Sequence, residues 1–104
     1  SSAASDVYKR QAVSGATASA IGKKLASLSK TLQIFSVTHS PQVASKANHH
    51  YLIKKSDNHG DDYSIEVTEI KDDDRIEEIA RMLSGEKITN QAREASKSLI
   101  YEDE

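Results

Sequence analysis

Leu32-Gln33-Ile34-Phe35-Ser36-Val37-Thr38-His39-Ser40-Pro41-Gln42-Val43 is an apolar run that passes into a polar turn and then into a helix start. Six residues from Leu32 to Val37, rich in apolar, β-branched and aromatic side chains, read as a central strand of an α/β sheet. Sheets of that kind bind ligands beyond the carboxyl ends of their strands, which is where His39 falls. Pro41 suits the first turn of the helix that follows, because its missing N–H has no partner to lose there. Thr38 or Ser40 can supply the cap. His39 is left at the edge of a site, where an imidazole either binds a ligand or hydrogen-bonds a neighbouring loop.

Working towards the N-terminus, Ala16 to about Ser29 has the period of a helix, with Ala18, Ile21, Leu25 and Leu28 on one face that should lie on the sheet. Lys23, Lys24 and Lys30 suit the solvated side. Val13-Ser14-Gly15 reads as a turn. A helix feeding a parallel strand is half of a βαβ unit, so a strand should precede it. Ser1 to Gln11, SSAASDVYKRQ, has no strand or helix period and no signal-peptide core. It resembles adaptor-derived sequence or a disordered arm. The expected domain is therefore 12–104, with 1–11 set apart and the strand before the helix missing.

Towards the C-terminus, Gln42 to Ala47 reads as a short helix and Tyr51-Leu52-Ile53 as a strand. Ser56 to Asp62, with Asn58, His59 and Gly60, is a turn, and Tyr63, Ile65 and Val67 alternate with Ser64, Glu66 and Thr68 in a hairpin with one wet face. Asp72-Asp73-Asp74 opens a helix in which Asp74 and Glu77 have capping-box spacing, and Ile76, Ile79, Ala80 and Leu83 make the apolar stripe. Gly85 ends it. Thr89 can cap a last helix that turns Ala92, Ala95 and Leu99 inward, before a solvated Glu102-Asp103-Glu104 tail.

The composition narrows the function classes. A chain of 104 residues with 37% hydrophobic and 29% charged residues holds one small domain with a thin core. Its formal charge of -2 gives no global basic field for nucleic acid or anionic membrane. With no cysteine, disulfides and thiolate metal sites are excluded. No apolar run is long enough to span a bilayer. His39, His49, His50 and His59 lack the i, i+4 spacing of a zinc site, so no metal ligands are assigned. Ser14 lacks the surroundings of a nucleophile elbow. Gly15, Gly22, Gly60 and Gly85 form no phosphate-cradling loop, so a complete nucleotide site is not encoded in these residues.

Val13-Ser14-Gly15-Ala16-Thr17-Ala18 and Val37-Thr38-His39-Ser40-Pro41-Gln42-Val43-Ala44, followed by His49-His50-Tyr51, Arg75-Ile76-Glu77-Glu78-Ile79-Ala80-Arg81-Met82-Leu83-Ser84-Gly85 and Ile88-Thr89, form a combined pattern. It resembles the C-terminal end of the RecN family, bacterial double-strand-break repair ATPases related to the structural-maintenance-of-chromosomes proteins. The resemblance covers everything after Gln11. It implies an α/β fold: the C-terminal portion of a P-loop, ABC-type ATPase head, with a β-hairpin and two C-terminal helices.

By the same resemblance, His39 is the switch-loop residue that reaches the γ-phosphate, with Thr38, Ser40 and Gln42 as its neighbours. Val13, Ser14 and Gly15 match the tail of the D-loop, which crosses to a second head. Ala12 stands where the family has glycine. ATP and Mg2+ are implied for the complete protein only, because the phosphate loop, the signature motif and the magnesium and catalytic acids belong upstream. The chain alone is expected not to hydrolyse ATP. Implied partners are the upstream part of the head, the second head of a homodimer and DNA, with no membrane, in the bacterial cytoplasm at the nucleoid. The alternatives are a head fragment of another chromosome-maintenance or Rad50-like ATPase, and a small non-catalytic interaction module.

Overall fold

A computed structural model describes residues 2–57, 60 and 62–102, with side-chain surroundings from Gly15 onward. The chain runs through α1 (Ser2–Leu28), α2 (Pro41–Ala44), β1 (His50–Asp57), β2 (Tyr63–Ile70), α3 (Asp72–Ser84) and α4 (Asn90–Tyr101). This is an α/β chain with a two-stranded antiparallel hairpin and two helices at its C-terminal end, as the sequence implies. No described helix is long and apolar enough to cross a membrane.

The segment expected to be a central strand is not one. Residues 33–40 form no regular structure, and Phe35 and Val37 are 83% and 93% exposed. A strand exists only where a neighbour exchanges backbone hydrogen bonds with it. Among the described residues the only strands, β1 and β2, satisfy each other. The expected βαβ half-unit is therefore absent, and α1 has no sheet to lie on.

Helix α1 also begins far earlier than expected. From Ser2 it passes through residues set apart as structureless and through Val13-Ser14-Gly15, which continue the helix instead of turning. Helical bonds are local, and neither proline nor glycine interrupts Ser2 to Ser14. Helix α1 packs on α2, with Gly22 buried and Ala18, Leu25 and Ala26 half-buried, while Ile21 and Leu28 are exposed. Gly22 makes that approach possible. A Cβ there would lie 2.9 Å from the backbone oxygen of Gln42 and 3.3 Å from Val43 Cα.

The core lies between α2, α3 and α4: Ala44, Ile76, Ile79, Ala80 and Ala92. Leu83 of the expected stripe sits at its exposed rim. On α4, Ala92 is buried and Leu99 half-buried, but Ala95 faces solvent and Ser96 takes the inward position. Ser96 lies four residues after Ala92 and so stays on the same face. Its hydroxyl donates to the Ile76 carbonyl at 2.8 Å, which satisfies a polar group in a fully buried place.

The ends of the helices follow local chemistry. Thr89 Oγ1 accepts from Ala92 N at 3.0 Å and caps α4. Gly85, with φ 85, ends α3. The three aspartates do open α3, but the capping box does not form: the cap position is Lys71 and Glu77 instead pairs with Arg93 at 2.8 Å. Asp72, with φ 51, turns the chain from β2 into α3 in a single residue.

In the hairpin, Tyr51 stands opposite Glu69, Ile53 opposite Val67 and Lys55 opposite Ile65. That face, with Tyr63, is exposed, and so are Lys54, Ser64, Glu66 and Thr68 of the other, so both faces of the hairpin meet solvent where one was expected to. Helix α3 sits on the other side, across a cleft lined by Leu52, Lys54, Glu66, Thr68 and Ile70. Asn58, His59 and Asp61 of the expected turn, and Asp103 and Glu104 of the tail, lie outside the described residues.

Two stability measurements follow. Gly22→Ala gains about 1 kcal/mol in helix propensity, but its methyl group meets backbone that must shift, at a cost of about 1–3 kcal/mol. A lower Tm is expected. Gly15→Ala, whose Cβ would meet only the end of the Gln42 side chain at 3.8 Å, is expected to raise Tm or leave it unchanged. The second measurement concerns His50, half-buried at the start of β1, whose imidazole is held below the ordinary 6.5 by burial and then by Arg75. The unfolded chain takes up that proton first, so stability present above 6.5 is lost as pH falls through the lowered folded value. Denaturant titrations on either side of 6.5 should show this loss, reduced in His50→Gln.

Candidate functional site

The turn from Thr38 to Gln42 holds itself by side chain to backbone bonds. Thr38 Oγ1 accepts from Ser40 N at 2.9 Å. Ser40 Oγ accepts from Val43 N at 3.3 Å, capping α2, and donates to Gln42 Oε1 at 3.1 Å. Pro41 takes the first helical turn, as its missing N–H allows. The side chains either side of His39 are thus committed to the turn. His39 itself is exposed, and no described residue hydrogen-bonds its ring.

Chemically, an exposed imidazole beside a capped turn can donate to a phosphoryl or carboxyl oxygen, or accept from a water. It does not stand at the end of a strand, because Leu32–Val37 is not one. Nor does the turn meet Val13, Ser14 and Gly15 in a shared loop: those three lie within α1. The nearest described link is loose, the Gln42 side-chain nitrogen lying 3.8 Å from where a Cβ on Gly15 would stand.

The rest of the chain holds α2 from its far end. Arg75, on α3, donates through Nη2 to the carbonyls of Ala44, Ser45 and Ala47 at 3.1, 3.0 and 2.8 Å. Lys46, its side chain 11% exposed, pairs with Glu102 at 2.8 Å and also donates to the Leu99 carbonyl at 3.3 Å. The Lys46 ammonium, through that bond, holds the Glu102 carboxyl below the usual range. Nothing in the local spacing marks Arg75 for this task, since its acceptors lie 28 to 31 positions away.

A second concave region, of about 260 Å³, is lined by Asn48, His49, His50, Glu69, Lys71 and Arg75 among others. His50 Nδ1 and Arg75 Nε are buried there without a hydrogen-bond partner among the described residues. His49 Nδ1 lies 2.9 Å from Glu69 Oε2, and that bond lowers the Glu69 pKa. Among the described residues no three histidines, cysteines or acids gather closely enough to hold a metal ion.

No known protein-family model matches the chain. Similar curated proteins are nevertheless consistent with one another. The chain is 39% identical over 88 residues to the DNA repair protein RecN of Halalkalibacterium halodurans, covering 85% of this chain and 15% of that protein. It is 44% identical over 73 residues to RecN of Deinococcus radiodurans, covering 70% of this chain and 13% of that protein. It is 37% identical over 89 residues to RecN of Rickettsia conorii, covering 86% and 16% respectively. The chain therefore spans about 15% of the length of these relatives. With matches of this strength running through most of its length in all three, the chain belongs to the RecN family of DNA repair proteins.

Proposed function

We propose that the chain is part of a RecN-type ATPase head, the C-terminal portion of a P-loop, ABC-type fold, in which His39 is the switch-loop residue. The observation that carries this reading is the self-bonded turn, in which Thr38 and Ser40 are committed to the backbone and the His39 ring is exposed, with no partner among the described residues. In the complete protein, ATP and Mg2+ would be held by residues of the upstream part of the head, together with a second head. His39 would donate to a γ-phosphoryl oxygen or orient the attacking water. Phosphoryl transfer rests on such placement and on stabilising charge, so one well-placed ring suffices for a large effect.

A further observation supports the reading. Leu32, Phe35 and Val37 stand exposed immediately before the turn, with the composition of a buried strand. In a complete head this run would pair with strands of the upstream part, which would put His39 at a strand's carboxyl end. Val13, Ser14 and Gly15 are assigned the contact with the second head, and DNA is met through the complete protein in the bacterial cytoplasm, at the nucleoid. The exposed hairpin face of Tyr51, Ile53, Ile65 and Val67 favours a second reading, a non-catalytic module that binds a protein partner through that face.

The test is ATP turnover by the full-length protein that carries these residues. His39→Ala should lower kcat by about 10²–10³, leaving KM for ATP within a few-fold, while the 104-residue chain alone should show no turnover. Unchanged kcat in His39→Ala, or turnover by the chain alone that depends on His39, would overturn the proposal. Full activity in the variant together with loss of partner binding in Ile53→Asp would favour the interaction module.

A further inference from the structure

Helix α2 is only four residues long, too short to hold its shape through its own bonds. Its N-terminal end is closed locally by Ser40. Its C-terminal end and the residues just past it present carbonyls to α3, although that of Ala44 already accepts from Ala47 N. One nitrogen of Arg75, carrying two hydrogens, meets three of these, so at least one hydrogen is shared. A cation at that end of a helix is also favoured by the backbone dipoles. Arg75 is anchored in turn, since its neighbour Ile76 is buried between α3 and α4, with its carbonyl bonded to Ser96.

We propose that Arg75 is the positioning residue of the His39 turn: by gripping the carbonyls of Ala44, Ser45 and Ala47 it fixes α2 against α3 and so sets where the His39 ring points. The path is short and continuous. It runs from the guanidinium to Ser45, through α2 to the Ser40 cap, and from the cap to His39 one residue away. Every step is a hydrogen bond or a peptide link. Arg75 itself need touch no nucleotide. The significance of this role for catalysis rests on the reading of His39 given above, but the grip is measurable without nucleotide.

The experiment is amide hydrogen exchange and histidine-ring NMR on the 104-residue chain. Arg75→Met keeps most of the aliphatic stem and removes the donors. In it the amides of Ala44 and Ser45, bonded to Ser40 O and Pro41 O, should exchange about tenfold faster or more. The Gly85 amide, bonded to Arg81 O on α3, should stay within about twofold of wild type. The His39 ring resonances should shift. Arg75→Lys places three donors on one nitrogen a bond shorter and should recover part of the protection. Arg93→Met removes a bond from α4 to Glu77 on α3 and should leave α2 and His39 unchanged.

Wild-type exchange at Ala44 and Ser45 in Arg75→Met would overturn the inference, as would acceleration of Gly85 in the same proportion. So would an unprotected Ser45 amide in the wild-type chain. If Arg75→Met does not fold, Arg75→Lys carries the same comparison: selective acceleration of α2 supports the grip and wild-type rates overturn it. Failure here leaves the turnover test of His39→Ala standing, and failure of that test leaves the amide result standing.

Discussion

The arrangement of this chain depends on keeping a four-residue helix in place. Helix α2 is held by α1, through the gap left at Gly22; by α3, through the Arg75 guanidinium; and by α4, through Lys46. Remove any one and the helix still has the other two, but each constrains something different. Gly22 sets how closely α1 approaches, Arg75 fixes the end of α2, and Lys46 ties it to the last turn of α4. Without those three holds, the turn carrying His39 would be a loop closed only by its own hydroxyls.

Polar and apolar contributions are divided unevenly around this helix. The buried apolar residues are few and mostly small, alanines and two isoleucines, so area burial can supply only modest stabilisation. Specific bonds do the aligning: Ser96 to the Ile76 carbonyl, Arg93 to Glu77, Arg75 to the end of α2. The Arg93 pair is part-exposed and worth little energetically, yet it connects α3 to α4 at a defined register. Ser96 differs because its hydroxyl is wholly buried and satisfied, so its loss would leave the carbonyl of Ile76 without that partner.

How much of this could be read from the sequence divides along physical lines. Many features set by bonds within a few residues were legible: a cap from Thr38 or Ser40 with Pro41 behind it, the Thr89 cap, Gly85 ending α3, and the hairpin from its alternation, though the helix through Val13, Ser14 and Gly15 and the cap position at Lys71 were not. Features set by what lies across space were not. Leu32–Val37 has the composition of a strand, but composition cannot supply the neighbour that makes one. Alternation placed Tyr63, Ile65 and Val67 on one face correctly, yet could not say which face α3 would cover. Ala95 looked the better core residue than Ser96 by hydrophobicity, while helical geometry after Ala92 put Ser96 inward. Of the candidate site, the turn and the exposure of His39 were legible and the hold of Arg75 on the end of α2 was not, since its acceptors lie across the fold.

The exposed surfaces and the exposed histidine belong to one picture. Phe35 and Val37 lie almost entirely in solvent, and a second apolar face stands open on the hairpin. A chain with so small a core gains nothing by exposing side chains of this kind, and isolated hairpins of two strands are marginal in water. Under the proposed function the Leu32–Val37 surface is a contact with the rest of the head, in a protein family whose members are about 15% covered by this chain, while the hairpin face is the one the second reading uses. The same contact would bring a strand up to Thr38 and leave the next residue, His39, facing whatever lies beyond the sheet. Its exposure then needs no separate cause: the turn that carries it is held from behind by α1, α3 and α4, and is open on the side where the remainder of the site would stand.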